Sequence, residues 1–112
     1  MKIAIPVADG MLCAHFGHCQ VFAILHINDE TKAIEKVEAL TPPPHEPGVI
    51  PQWLNEVGAD MIIAGGMGMK AQQFFTQFGI KVVVGAQPGK PEDIAQAWLD
   101  GKLTTGANMC DH

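Results

Sequence analysis

Apolar positions along the chain fall into two kinds of stretch. Some are short and unbroken. Lys2–Val7 opens with Ile3-Ala4-Ile5, Val21–Ile27 is nearly continuous, Met61–Ala64 is wholly apolar, and Ile80–Val84 is apolar apart from Lys81. Runs of this length without polar alternation predict strands buried on both faces. Others recur at helical spacing. Val49, Ile50, Trp53, Leu54 and Val57 form one stripe over Gly48–Val57, which Gly58 ends. Ala71, Phe74, Phe75 and Phe78 form a second over Gly68–Phe78, followed by Gly79 as a cap. Ile94, Ala97 and Trp98 form a third, behind a Pro91 suited to a first helical position and an acidic first turn of Glu92 and Asp93. Ala33–Leu40 is ambiguous. Ile34, Val37 and Leu40 are three residues apart, as in a helix, but the turn-forming Asn28-Asp29-Glu30-Thr31 before them and the prolines after them favour a hairpin partner for Val21–Ile27. It is read as an edge strand.

The resulting order, β-β-β-α-β-α-β-α, predicts an α/β domain: an antiparallel meander continued by parallel strands, with helices on both faces of a mixed five-stranded sheet. The Pro-rich segment Thr41–Pro47 is an extended connector between halves too short to stand alone, so residues 1–112 form a single domain, with a polar tail over 102–112. Ligands of open α/β sheets sit beyond the carboxyl ends of the strands. Three loops are expected there, Ala8–Gln20, Gly65–Gly68 and Gly85–Gly89, all containing Gly, which lets backbone approach a ligand closely.

Charge narrows the partners. Seven Lys plus Arg stand against twelve Asp plus Glu in 112 residues, a net −5, and the basic residues are scattered. Phosphate-backbone binding needs clustered cations, so nucleic acid is disfavoured. No apolar run approaches the ~20 residues that cross a bilayer. The strand-like opening has no small-residue cleavage site after it, so no signal peptide and a cytoplasmic location are expected. Cys13, Cys19 and Cys110 make an odd count, which suits metal ligation in a reducing compartment better than a disulfide framework.

The candidate chemistry is concentrated. Cys13-Ala14-His15-Phe16-Gly17-His18-Cys19 holds two thiols and two imidazoles, the ligands preferred by zinc, copper(I) and iron–sulfur clusters. The plainer reading is a loop with incidental histidines and two buried cysteines acting as small hydrophobes. The Cys-x5-Cys spacing matches no standard zinc-finger or ferredoxin signature and does not select the metal. Cys110-Asp111-His112 adds a thiol and an imidazole that close the site if the tail folds back, or is a frayed end. Gly65-Gly66-Met67-Gly68 lies between a strand and a helix. Gly66–Ala71 fits a dinucleotide fingerprint, but no acid follows the next strand to hold a ribose. What remains is a helix amino terminus whose free amides attract anions, including a thiolate-ligated cluster, or else a tight turn needing Gly. Met11, Met67, Met69 and Met109 lie beside these segments and are read as gap-filling rather than ligating. Asp9 and Asp60 are the thin basis for a metal-dependent nuclease or phosphatase, with Asp60 at the wrong end of its strand.

His15-Phe16-Gly17, the following Phe22, and Ala64-Gly65-Gly66-Met67-Gly68, in this order over nearly the whole chain, resemble the dinitrogenase iron–molybdenum cofactor biosynthesis family. The resemblance implies a ribonuclease H-like fold with strand order 3-2-1-4-5, which supports Ala33–Leu40 as a strand. It also implies a non-enzymatic binder or carrier of an iron–sulfur or iron–molybdenum-type cluster, working with metallocluster donor and acceptor proteins. The family includes nitrogenase accessory proteins and an orange protein holding a molybdenum–copper–sulfur cluster. Cofactor contacts are then expected at His15, Phe16, Gly17, Gly65, Gly66, Met67 and Gly68, with Cys13, His15, His18, Cys19, Cys110 and His112 as metal ligands. A zinc- or copper-binding regulatory or storage module on the same residues is the alternative. A tail thiol also leaves room for a homodimer sharing one cluster.

Overall fold

The computed structural model describes residues 1–13, 19–44, 46, 48–103 and 105–106. The elements are β1 (Lys2–Ala8), β2 (Met11–Leu12), β3 (Val21–Ile27), β4 (Ile34–Leu40), α1 (Val49–Val57), β5 (Met61–Ile63), α2 (Met69–Gln77), β6 (Lys81–Val83) and α3 (Pro91–Leu99). The sheet runs β4-β3-β1-β5-β6, with β2 paired to β1 off this path. The five long-range strands stand in the expected order, but the sheet has six strands rather than five. The sixth arises because Asp9 and Gly10 both take positive φ, 54° and 79°, closing a two-residue hairpin that sets Ala8 opposite Met11. Asp-Gly is a strong signal for that turn, whose twist matches the flanking strands. The segment expected to be open loop from Ala8 therefore begins as a hairpin.

β3 and β4 are antiparallel neighbours on one side of β1, while β5 and β6 are parallel to β1 on the other. Alternation along β1 sends Ile3, Ile5 and Val7 to the face covered by Ile94 and Ala95 of α3. Ala4 faces the opposite layer, where Ile50 and Leu54 of α1 and Phe75 of α2 pack with Phe22, Ile24 and Ile62. Fully burying side chains of this size stabilises by about 1.5–3 kcal/mol each.

The helix-like spacing in β4 has a structural cause. Ile27 pairs with Ile34 but His26 pairs with Lys36, a register shift that bulges Glu35. One extra residue lets Ile34 join the α3-side core while Val37, three positions on, lies opposite Leu25 of that same core. The bulge thus accounts for Ile34 and Val37, whereas Leu40 packs on the opposite, α1/α2-side face. α1 ends where Gly58, at φ 92°, donates to the Leu54 and Asn55 carbonyls, and α3 begins at Pro91 with Glu92 and Asp93 in its first turn. No described helix is long and apolar enough to cross a membrane.

Candidate functional site

β1 and β5 are adjacent and parallel; β5 leads on to β6 on one side, and β1, by way of the short β2, leads on to β3 on the other. Connections that part in opposite directions open a crevice beyond the carboxyl ends of the two strands. Val7 pairs with Val21 of β3 on one side and Leu12 of β2 on the other, so β2 enters on the β5 side. The Cys13 N–H then donates to the Pro6 carbonyl at 2.8 Å, and the Gln20 N–H donates to Val7 at 2.8 Å. The segment that leaves after β2 and returns before β3 is therefore tied at both ends to neighbouring residues of β1.

Cys13 and Cys19 sit at those two ties. Cys19 is buried at 8% exposure in the core on the α1/α2 side, and half-buried Cys13 packs against the same cluster. Burial pushes the Cys19 thiol up to about 11, and the neighbouring Cys13 adds to the rise against an opposing backbone hydrogen bond. The two cysteines thus flank the end of β1 and pack against one core cluster. The four other residues expected in this loop, His15, Phe16, Gly17 and His18, lie outside the described residues. So do Cys110 and His112 of the tail. Among the described residues alone, no group of three or more His, Cys, Asp or Glu side chains converges as a metal site.

The Gly65–Gly68 segment joins β5 to α2 on this rim. Gly65 and Gly66 are buried, and Met67 is fully buried in the α1/α2-side core with both cysteines. Its side chain is thus core packing, while its carbonyl accepts from Gln72 Nε2 at 2.9 Å. Gly68 is exposed and extended (φ −66°, ψ 156°). It gives α2 no side-chain cap, and the first turn of α2 holds no acid. A Cβ on Gly68 would meet nothing within 4 Å. The amino terminus of α2 thus lies on the rim without a side-chain cap, and helix ends of this kind attract anions. The thioethers of Met11 and Met69 are 43% and 67% exposed beside it.

Gly85 has a different role from the one its loop suggests. The Gly106 N–H donates to the Gly85 carbonyl at 2.7 Å, and Ala86 bridges antiparallel to Thr105. Gly85 holds φ +85°, and a Cβ there would stand 2.1 Å from the Gly106 oxygen. The backbone that approaches Gly85 is the chain's own tail, which reaches the carboxyl rim by residue 106. Further backbone bonds, Gly85 to Gly65 at 3.0 Å and Leu12 to Gly89 at 2.8 Å, tie all three rim loops together. Sequence reasoning missed this clasp; its only signal was Gly106 in an otherwise plain polar tail. Asp9 lies in the rim hairpin, whereas Asp60 precedes β5 at the other end and accepts from the Lys2 N–H at 2.9 Å. The two carboxylates of the nuclease reading are therefore separated by the length of the parallel strands.

These features define a small α/β protein with a glycine-rich, thiol-bearing rim at its topological switch point. The chain belongs to the dinitrogenase iron-molybdenum cofactor family, whose sequence profile matches residues 1–101. It is 35% identical over 106 residues to an uncharacterized protein, MJ0580, of Methanocaldococcus jannaschii, covering 92% of this chain and 89% of that one. The crystal structure of PH0822 superposes with a TM-score of 0.86 at 30% identity, over 97% of this chain and 99% of that one. The apo form of the orange protein from Desulfovibrio gigas superposes with a TM-score of 0.72 at 26% identity, over 96% and 93% of the two chains.

Proposed function

We propose that this protein is a non-enzymatic carrier of an anionic metal–sulfur cluster, of iron–sulfur or iron–molybdenum type, which it receives from and passes to metallocluster assembly proteins in the cytoplasm. The frame is read as ribonuclease H-like. The observation that carries the proposal is the meeting, at one switch point, of two cysteines that flank the end of β1 with a helix amino terminus that no side chain caps. Thiolates supply soft ligands to iron, and the helix end offsets the negative charge that such cargo carries. In this reading Cys13 and Cys19 are the principal ligands. His15 and His18 join them from the intervening loop, with Phe16 and Gly17 shaping it. The Gly65–Gly68 backbone faces the cargo, and Cys110 and His112 complete the shell from the tail. A raised Cys19 pKa suits a carrier, because a proton competes for the sulfur and favours release.

The test is anaerobic incubation with iron and sulfide, or with preformed cluster. Wild-type protein is expected to gain charge-transfer absorption and stoichiometric iron, and a Cys13→Ser/Cys19→Ser variant of unchanged circular dichroism to gain neither. Absence of colour and metal from the wild type would sink the proposal. Exposed Met11 and Met69 favour, within the alternative of a zinc or copper module on the same rim, copper(I), to which thioethers are ligands. Metal retained without sulfide would select it.

A further inference from the structure

β4 is the outer strand of the sheet, and among the described residues only β3 pairs with it. Glu35, Lys36, Val37 and Ala39 are exposed, Val37 to 41%. Such an edge presents unpaired backbone donors and acceptors. Two copies that meet there antiparallel about a two-fold axis oppose residues of like backbone orientation, which puts the axis on a residue. Beyond the bulge at Glu35 the strand is regular from Lys36 to Leu40.

Axes on Ala39 or Leu40 draw Pro42, which has no N–H to donate, into the ladder, and three others are available on this run. An axis on Lys36 sets lysine against lysine and Val37 against Glu35. An axis on Glu38 sets glutamate against glutamate. An axis on Val37 sets valine against valine and flanks it with two Lys36–Glu38 pairs, one on each side. Charges on an edge strand ordinarily guard against pairing. Here they oppose the two neighbouring registers and favour the one between them, because opposite charges across a strand pair stabilise and like charges destabilise. Glu38 is already held in place by His26 Nε2 and lies 4.0 Å from its own Lys36.

We propose that a second copy of this chain docks on β4, antiparallel and centred on Val37, joining two sheets into one through reciprocal Lys36–Glu38 pairs. Sedimentation equilibrium of the full chain reads this directly. Wild type is expected to approach twice its 12.0 kDa mass at submillimolar concentration. Lys36→Glu and Glu38→Lys, each placing like charges across the axis, are expected to weaken the dimer roughly tenfold or more. Mixing the two variants is expected to restore a dimer, now a heterodimer, because each supplies the charge the other lacks. The combined swap in one chain is expected to restore the homodimer, which separates a docking effect from a folding defect in either single variant. A wild type that stays monomeric, single variants that dimerise unchanged, or a mixture and a swap that both stay monomeric would each overturn the proposal.

Discussion

The two ends of the parallel strands are built from different materials. At the amino end, charge closes the structure. The Lys2 N–H and the Asp60 carboxylate meet at 2.9 Å, the Lys2 ammonium reaches the Val57 carbonyl at 2.9 Å, and the terminal amine of Met1 holds Asp29 at 3.1 Å. At the carboxyl end, the described polar contacts run through backbone and two glutamines, Gln20 and Gln72. No ion pair among the described residues lies there. A rim closed by fixed charges presents its own counterions to any ligand. A rim closed by peptide groups brings no counterions of its own. The two ends of one sheet are thus closed by different means, charge at one and backbone at the other.

The contrast can be broken most forcefully at Gly85. Gly85→Ala is expected to lower stability by about 2–4 kcal/mol, because alanine is strained at positive φ and its Cβ overlaps the Gly106 carbonyl. Gly68→Ala, on the same rim with open space around it, is expected to stay within about 0.5 kcal/mol. Urea denaturation compares the two, and faster amide exchange at Gly106 in the first variant locates the damage at the tail. Equal losses would mean the rim glycines have no separate roles.

Alkaline pH probes the thiol pair. Cys19 is held near 11 against an ordinary 9.0, so the folded chain keeps its proton longer than the unfolded chain. Its contribution is whole below pH 9.0 and is lost as pH rises toward about 11, a change of roughly 2–3 kcal/mol. The difference in unfolding free energy between wild type and Cys19→Ala should shrink across that window. A constant difference would place Cys19 outside the core. At the other end, Asp60→Ala is expected to cost about 1 kcal/mol, the net value of one hydrogen bond, and to leave cluster uptake unchanged. Loss of uptake in this variant would show that the two ends are not independent.

The fold was legible because its strands and helices are written locally. Val21–Ile27 and Ile80–Val84 need no partner to be recognised, and Pro91, Gly58 and the Asn28 turn mark their own boundaries. β4 was legible only against its spacing, since the bulge at Glu35 shifts its period. The sixth strand was written in Asp9-Gly10 but hidden by the glycine-rich loop around it. Of the candidate site, Cys13, Cys19 and the Gly65–Gly68 turn could be picked out by residue type. Met67 could not be sorted between core and rim, because side-chain direction depends on what packs beside it. Gly85 looked like a ligand contact because a glycine does not declare which backbone approaches it.

The amino-acid sequence by itself settled the three helices and the five longer strands, though not β2, since period, turn and cap residues act within a few positions of one another. Only the tertiary structure decided that Cys13 and Cys19 flank the end of β1 and that the tail returns over Gly85. Those placements depend on pairing between segments far apart in the chain, where the local signal ends and sheet register takes over.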